Sequence, residues 1–85
     1  MKTYKNNSDW RQGMRTYDRT WEEIESMLED AIKRKEQWGH FYTQSKKDDD
    51  RESMKDAARN SKALEGVVKT LKWVLGEEGI RDPLN

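Results

Sequence analysis

Cysteine is absent from this 85-residue chain, and proline and histidine each occur once. Without cysteine, the chain forms no disulfide and has no thiolate chemistry. The one proline is Pro83, so no earlier residue breaks a helix in the way that proline does. No run approaches the roughly 18 consecutive apolar residues of a membrane span. The first residues, MKTYKNNSD, contain no apolar stretch of the kind that an export signal needs. We therefore expect no membrane segment and a cytoplasmic location.

Catalytic constellations are also missing from the sequence. The only histidine, His40, has no serine or acid at a recognisable spacing, and the sequence contains no glycine-rich phosphate loop. The acidic triplet Asp48–Asp50 lacks the alternating ligands and the glycine of a calcium loop, so it indicates a helix cap and a turn. We therefore predict that the protein is not an enzyme and has neither a metal site nor a cofactor.

Apolar residues are scarce and charged residues are abundant. The apolar fraction is 32% and the charged fraction is 40%. Ordinary globular proteins contain about 45–50% apolar residues on a slightly wider residue set. Four tryptophans, three tyrosines and one phenylalanine nevertheless argue against disorder. We expect one small domain, residues 1–85, whose core is completed by a partner.

Helix signals indicate an all-α fold made of an antiparallel helical hairpin. Thr20 and Glu23 have the spacing of a capping box at the start of the first helix. Asp48–Asp50 supply N-cap candidates for the second helix, and Gly76 suits its C-terminal end. Gly39 would either end the first helix or be tolerated within it, and we favour tolerance because apolar residues follow it. The predicted segments are an N-terminal arm or short helix (1–19), helices at about 20–45 and 50–76, and an irregular tail (77–85).

Each predicted helix carries an apolar seam whose positions alternate by three and four residues. The seam positions are 21, 24, 28, 31, 35, 38 and 42 on the first helix and 57, 61, 64, 68, 71 and 75 on the second. Such spacing is typical of helices packed at a shallow angle. If the facing positions add up to 99, Tyr42 meets Ala57, Ala31 meets Val68 and Leu28 meets Leu71. Lys35 is the one charged seam residue; its amine either reaches Glu65 or water, or awaits an anionic ligand.

A second apolar surface remains outside this seam. The residues predicted to form an oligomer interface are Met27, Ala63, Val67 and Val74. Apolar patches of that extent usually mark interfaces, so we predict a homodimer or a higher oligomer that forms a helical bundle. The N-terminal segment could cover one side instead, because Trp10, Met14 and Tyr17 continue the apolar period into the first helix.

Basic and aromatic residues indicate where another molecule binds. The residues predicted to contact a partner protein are Trp10, Arg11, Arg15, Tyr17 and Trp73. An alternative is an anion site for a cyclic nucleotide, and its candidate residues are Lys35, Arg59, Lys62 and Lys69. A third alternative is nucleic-acid binding, which the net charge of zero disfavours.

The C-terminal third of the chain resembles a pattern found in very small bacteriophage open reading frames. Residues 57–84 carry it, with Ala63-Leu64-Glu65-Gly66-Val67-Val68-Lys69 and Trp73-Val74-Leu75-Gly76 as its main runs. This resemblance implies a phage accessory protein in the host cytoplasm, one that blocks a host defence or regulatory protein. The chain is also distantly similar, in architecture alone, to phage anti-defence sponges that sequester cyclic nucleotide signals as oligomers of helical hairpins.

Overall fold

The computed structural model describes residues 15–84, which form two helices packed as an antiparallel hairpin. Helix α1 spans Trp21–Lys47 and helix α2 spans Arg51–Val74, and these described residues contain no strand. The predicted all-α hairpin is therefore confirmed, with helix ends within two residues of those predicted. Residues 15–20 have no regular structure, and the remainder of the predicted N-terminal arm lies outside the described residues.

The capping box at the start of α1 is present. The Thr20 Oγ1 accepts a hydrogen bond from the Glu23 amide at 3.1 Å, and the Thr20 amide donates to the Glu23 Oε1 at 2.8 Å. The second of these bonds, more than the neighbouring Arg19 charge, lowers the pKa of the Glu23 carboxyl. Both bonds satisfy amides that have no partner within the helix, so the residues before α1 determine where it begins.

The acidic triplet caps α2, as predicted, and it also closes the C-terminal end of α1. The Asp50 amide donates to the Ser45 carbonyl at 2.9 Å and the Asp49 amide donates to the Lys46 carbonyl at 3.2 Å. This is the Schellman arrangement, and it places Asp49 in the left-handed region at a φ of 57°. Asp50 then caps α2 by accepting hydrogen bonds from the Ser53 hydroxyl and amide, which lower the pKa of its carboxyl.

Glycine has opposite roles at two places in the hairpin. Gly76 ends α2 with the same Schellman bonds, and its φ of 73° requires a residue that tolerates the left-handed region. Gly39, by contrast, lies within α1, which continues past it to Lys47. The helix is therefore not broken at Gly39.

The burial pattern follows the predicted seam. Ala31 and Ala57 are buried, which indicates that the two helices approach closely there. The seam residues that are half-buried are Ile24, Leu28, Lys35, Trp38, Ser61, Leu64, Val68, Leu71 and Leu75. Ser45 is also buried and Met54 is half-buried. Since 45 and 54 also add up to 99, the seam extends one pair further toward the turn than predicted.

One seam assignment needs correction. Trp21 is 63% exposed, because its facing position under the same rule would be residue 78, which lies beyond the end of α2. Tyr42 is 37% exposed and lies at the border of a groove beside the turn.

Neither described helix is both long and apolar enough to cross a membrane.

Candidate interaction surfaces

Large aromatic side chains are exposed at the end of the hairpin opposite the turn, which we call the open end. The start of α1 and the end of α2 lie there because the two helices are antiparallel. The exposed fractions are 86% for Tyr17, 63% for Trp21 and 52% for Trp73. Solvent contact of this extent is unfavourable for side chains that bury about 150–250 Å² each in ordinary proteins. The open end is therefore the first candidate surface.

Three of the five predicted partner-contact residues are described at this end. Arg15 and Tyr17 lie in the exposed segment that leads into α1, and Trp73 lies one residue before the end of α2. Trp10 and Arg11 lie outside the described residues. Trp21 was not predicted as a contact residue, although its place directly after the N-cap Thr20, with no facing residue on α2, is a signal that could have identified it.

A second candidate surface, which we call the apolar face, consists of Met27, Phe41, Val67 and Val74. Each of these side chains is between 38% and 57% exposed. An α-helix turns about 100° per residue. Met27 and Phe41 therefore lie about 40–80° around α1 from Ala31, and Val67 and Val74 lie about 80–100° around α2 from Ala57. The rotation has the same sense in both helices when each is viewed from its own N-terminus. In an antiparallel pair these sides form one broad surface, and Ile32 lies on the opposite one. The residues of the predicted oligomer interface thus lie on one surface of the hairpin. That this surface mediates assembly remains a prediction.

Two shallow grooves cross the surface that carries the apolar face. The groove nearer the open end has a volume of about 540 Å³ and includes Ile24, Met27 and Leu71. The other has a volume of about 410 Å³ and lies along α2. The residues that line it are Ala63, Gly66, Val67, Thr70, Leu71 and Pro83. The groove along α2 has small or apolar side chains available for contact with another chain, whereas the first groove is also lined by Arg19, Glu23 and Asp30.

The C-terminal tail folds back along α2, a contact that the sequence did not predict. The Lys72 ammonium and the Glu77 carboxylate lie 3.8 Å apart where the tail leaves the helix. Ile80 and Pro83 are half-buried, and Pro83 lies at the edge of the groove along α2. The tail therefore covers part of the apolar side of α2 that does not pack on α1, but it leaves Val67 exposed.

Three of the four bases predicted to hold an anion, Lys35, Lys62 and Lys69, lie near the Glu65 carboxylate, and the fourth, Arg59, pairs elsewhere. The Glu65 carboxylate receives a hydrogen bond from Lys62 at 3.1 Å, and this bond, with the charges of Lys62, Lys35 and Lys69, lowers the pKa of Glu65. Arg59 instead pairs with Asp56 at 3.2 Å. Half-buried Lys35 is therefore near a carboxylate of the same chain, which agrees with the prediction that its amine reaches toward Glu65.

Another groove lies beside the turn, and sequence reasoning did not identify it. Its volume is about 620 Å³, and Tyr42 and Met54 form part of its wall together with three bases and Asp49. Those bases are Lys46, Arg51 and Lys55. Asp48 and Asp50, which flank Asp49, accept hydrogen bonds from Gln44 and Ser53. The mixed charge of this region gives no specificity for one class of ligand.

Residues typical of catalysis or metal binding are not gathered in the described part of the chain. His40 is exposed on α1. No group of three histidine or acidic side chains within residues 15–84 has the geometry of a metal site. Comparisons with protein-family models, curated proteins and solved structures find no match to this chain.

Proposed function

We propose that the protein is a non-enzymatic binding protein of the host cytoplasm, which assembles into a helical bundle and binds a host protein through its open end. The observation that carries this proposal is the exposure of Tyr17, Trp21 and Trp73 at one end of the hairpin. Tryptophan, tyrosine and arginine are the residues most enriched at the energetic centres of protein interfaces. A partner that covers these rings would gain hydrophobic contact without first displacing any element within residues 15–84.

Self-association is supported by the amount of apolar surface that the hairpin leaves open. Full burial of a Val, Phe or Met side chain contributes about 1.5–3 kcal/mol, so covering the exposed fractions of the apolar face would contribute about 3–5 kcal/mol per chain. Two chains together would gain about twice that, which is comparable to the roughly 4–15 kcal/mol cost of bringing them together. We therefore expect self-association that depends on protein concentration.

The class of partner follows from the resemblance of residues 57–84 to small phage proteins. A phage accessory protein of this size would act by occupying a surface of a host defence or regulatory protein. The sponge alternative has less support, because three of the bases proposed for it lie near the Glu65 carboxylate and Arg59 pairs with Asp56.

The test uses the full-length protein immobilised in bacterial lysate, followed by binding measurements with the purified captured protein. We expect Trp21→Ala and Trp73→Ala each to weaken binding at least tenfold. The matched control is Tyr42→Ala, which removes an aromatic ring at the turn end and should leave binding within twofold. Equal loss in the control, or unchanged binding in both tryptophan variants, would show that the open end is not the binding surface.

Calorimetric titration with cyclic di- and trinucleotides separates the proposal from the sponge alternative. We expect no heat of binding from the panel. A saturable heat that is lost in Lys62→Ala would instead identify a nucleotide-binding protein.

A further inference from the structure

Helix α2 has a second heptad-like stripe, separate from the seam that packs on α1. Ala63, Val67, Thr70 and Val74 follow one another at spacings of four, three and four residues, and Gly66 lies beside them. The stripe contains no charged residue in a chain that is 40% charged. A shallow-angle helix contact has this spacing, because such positions recur on one side of a helix.

We propose that this stripe binds the same stripe of a second copy, with the two α2 helices antiparallel and facing positions adding up to 137. In this register Ala63 meets Val74 of the second copy, and Val67 meets its Thr70. Gly66 lies at the flank of this contact. The Ala63 contact pairs a small residue with a larger one, which favours close helix packing, and Val67 and Thr70 are of similar size. The proposal rests on the self-association that is part of the proposed function, and it identifies the surface and the register that would be used.

Packing favours this register over a parallel one. A parallel pair in register places each stripe residue opposite its own copy, so Ala63 would face alanine while Val67 and Val74 each met valine. That arrangement leaves a gap beside the alanine, and uneven packing costs stability. The antiparallel pair distributes the same residues into contacts of similar total size. Both arrangements have a two-fold axis, so packing rather than symmetry separates them.

The groove along α2 has room for this contact. A Cβ atom placed on Gly66 would meet nothing within 4 Å, so the groove is open there although Pro83 lies at its edge. Val67 and Val74 retain 42% and 38% of their exposure. The tail therefore narrows the groove without filling it.

The experiment uses cysteine cross-linking, because the natural chain contains no cysteine and introduced thiols report only on their own positions. Full-length Ala63→Cys and Val74→Cys proteins are mixed, allowed to exchange subunits and oxidised. A disulfide needs Cα atoms within about 4.4–6.8 Å. In the proposed register, residues 63 and 74 of opposite copies face each other, whereas two copies of either residue are offset by about 16 Å along the helix. We expect efficient cross-links in the mixture and none in either protein alone.

Each other outcome contradicts a defined part of the reasoning. A cross-link in Ala63→Cys alone would indicate a parallel pair and overturn the register. A stable dimer mass by light scattering without any cross-link in the mixture would overturn the α2 contact while leaving self-association intact. A monomer at every concentration would overturn both, and partner binding through the open end would still be tested separately by the tryptophan variants.

A second measurement tests the surface without cysteine. Val67→Asp should raise the dimer dissociation constant at least tenfold, because it places a carboxylate inside the proposed contact. Ile32→Asp is the matched control, since Ile32 is similarly exposed on the opposite surface. An equal effect of the two substitutions, with helicity by circular dichroism unchanged, would refute the assignment to α2.

Discussion

Replacing Gly39 with alanine should stabilise the hairpin. Gly39 lies inside α1, and a Cβ atom built there would meet nothing within 4 Å, so the new methyl group causes no steric conflict. Glycine in a helix interior is less favourable than alanine by about 0.5–1 kcal/mol, because it loses more backbone freedom on folding. The hydrogen bond from the Thr43 hydroxyl to the Gly39 carbonyl involves only the backbone at position 39 and is retained. We therefore expect Gly39→Ala to raise the free energy of unfolding by about 0.5–1 kcal/mol.

The same chemical change at Gly76 should have the opposite effect. Its φ of 73° is in the left-handed region, where a Cβ atom is disfavoured by about 1–2 kcal/mol. Gly76→Ala is therefore the matched control, and it should lower the free energy of unfolding although space around the methyl group is equally open.

Urea denaturation of both variants, followed by circular dichroism at one fixed protein concentration, measures these differences. In a thermal unfolding experiment on the same variants, a stabilisation of about 1 kcal/mol corresponds to a rise in the melting temperature of about 4–8 °C for a chain of this length. If Gly39→Ala destabilises the protein, another chain must pack closely at position 39. That result would refute both the open environment of Gly39 and the assignment of the assembly contact to the opposite surface.

Three further predictions address the seam, the stripe on α2 and the helix caps. Ala57→Leu should destabilise the hairpin by about 1–3 kcal/mol, because the buried site has no room for a larger side chain, whereas the exposed neighbour Ala58→Leu should change the melting temperature little. Gly66→Ala should stabilise the monomer by about 0.5–1 kcal/mol yet weaken the dimer severalfold, so light scattering and dilute melting curves should move in opposite directions. Folding lowers the pKa values of Glu23 and Asp50 from their ordinary values of 4.5 and 3.8. Their contribution to the free energy of unfolding is therefore present above those values and is lost as pH falls below them. Unfolding measured from pH 6 to pH 2 should show this loss, and Glu23→Gln should remove the part that depends on Glu23.

The parts of the fold that depend on local pattern were predictable. The capping box, the acidic turn and the two seams each arise from residues a few positions apart, so their spacing contains the necessary information. The seam register was predictable for a related reason, since a short turn fixes which positions can face each other. The same rule explains the error at Trp21, whose facing position lies beyond the end of α2.

The parts that depend on side-chain direction or on the tail were not predictable from the sequence. Ile80 and Pro83 pack beside α2 through a chain that changes direction at Gly76 and Gly79, and eight irregular residues contain no periodic signal. The separation of Arg59 from Lys62 has a similar origin. Each forms an ion pair with an acid three residues away, and the sequence alone does not decide which neighbour a long side chain selects.

The shallow core links assembly to stability in this protein. Within residues 15–84 only Ala31, Ser45 and Ala57 are buried, and none of the larger side chains is completely removed from solvent. Hydrophobic stabilisation of the single hairpin is therefore small, and any contact that covers Val67 and Val74 also stabilises the fold by mass action. Substitutions on the apolar face should consequently reduce thermal stability and self-association together. Trp73→Ala should weaken partner binding without either effect, because the ring lies outside both helix contacts, and this difference separates an assembly surface from a binding surface.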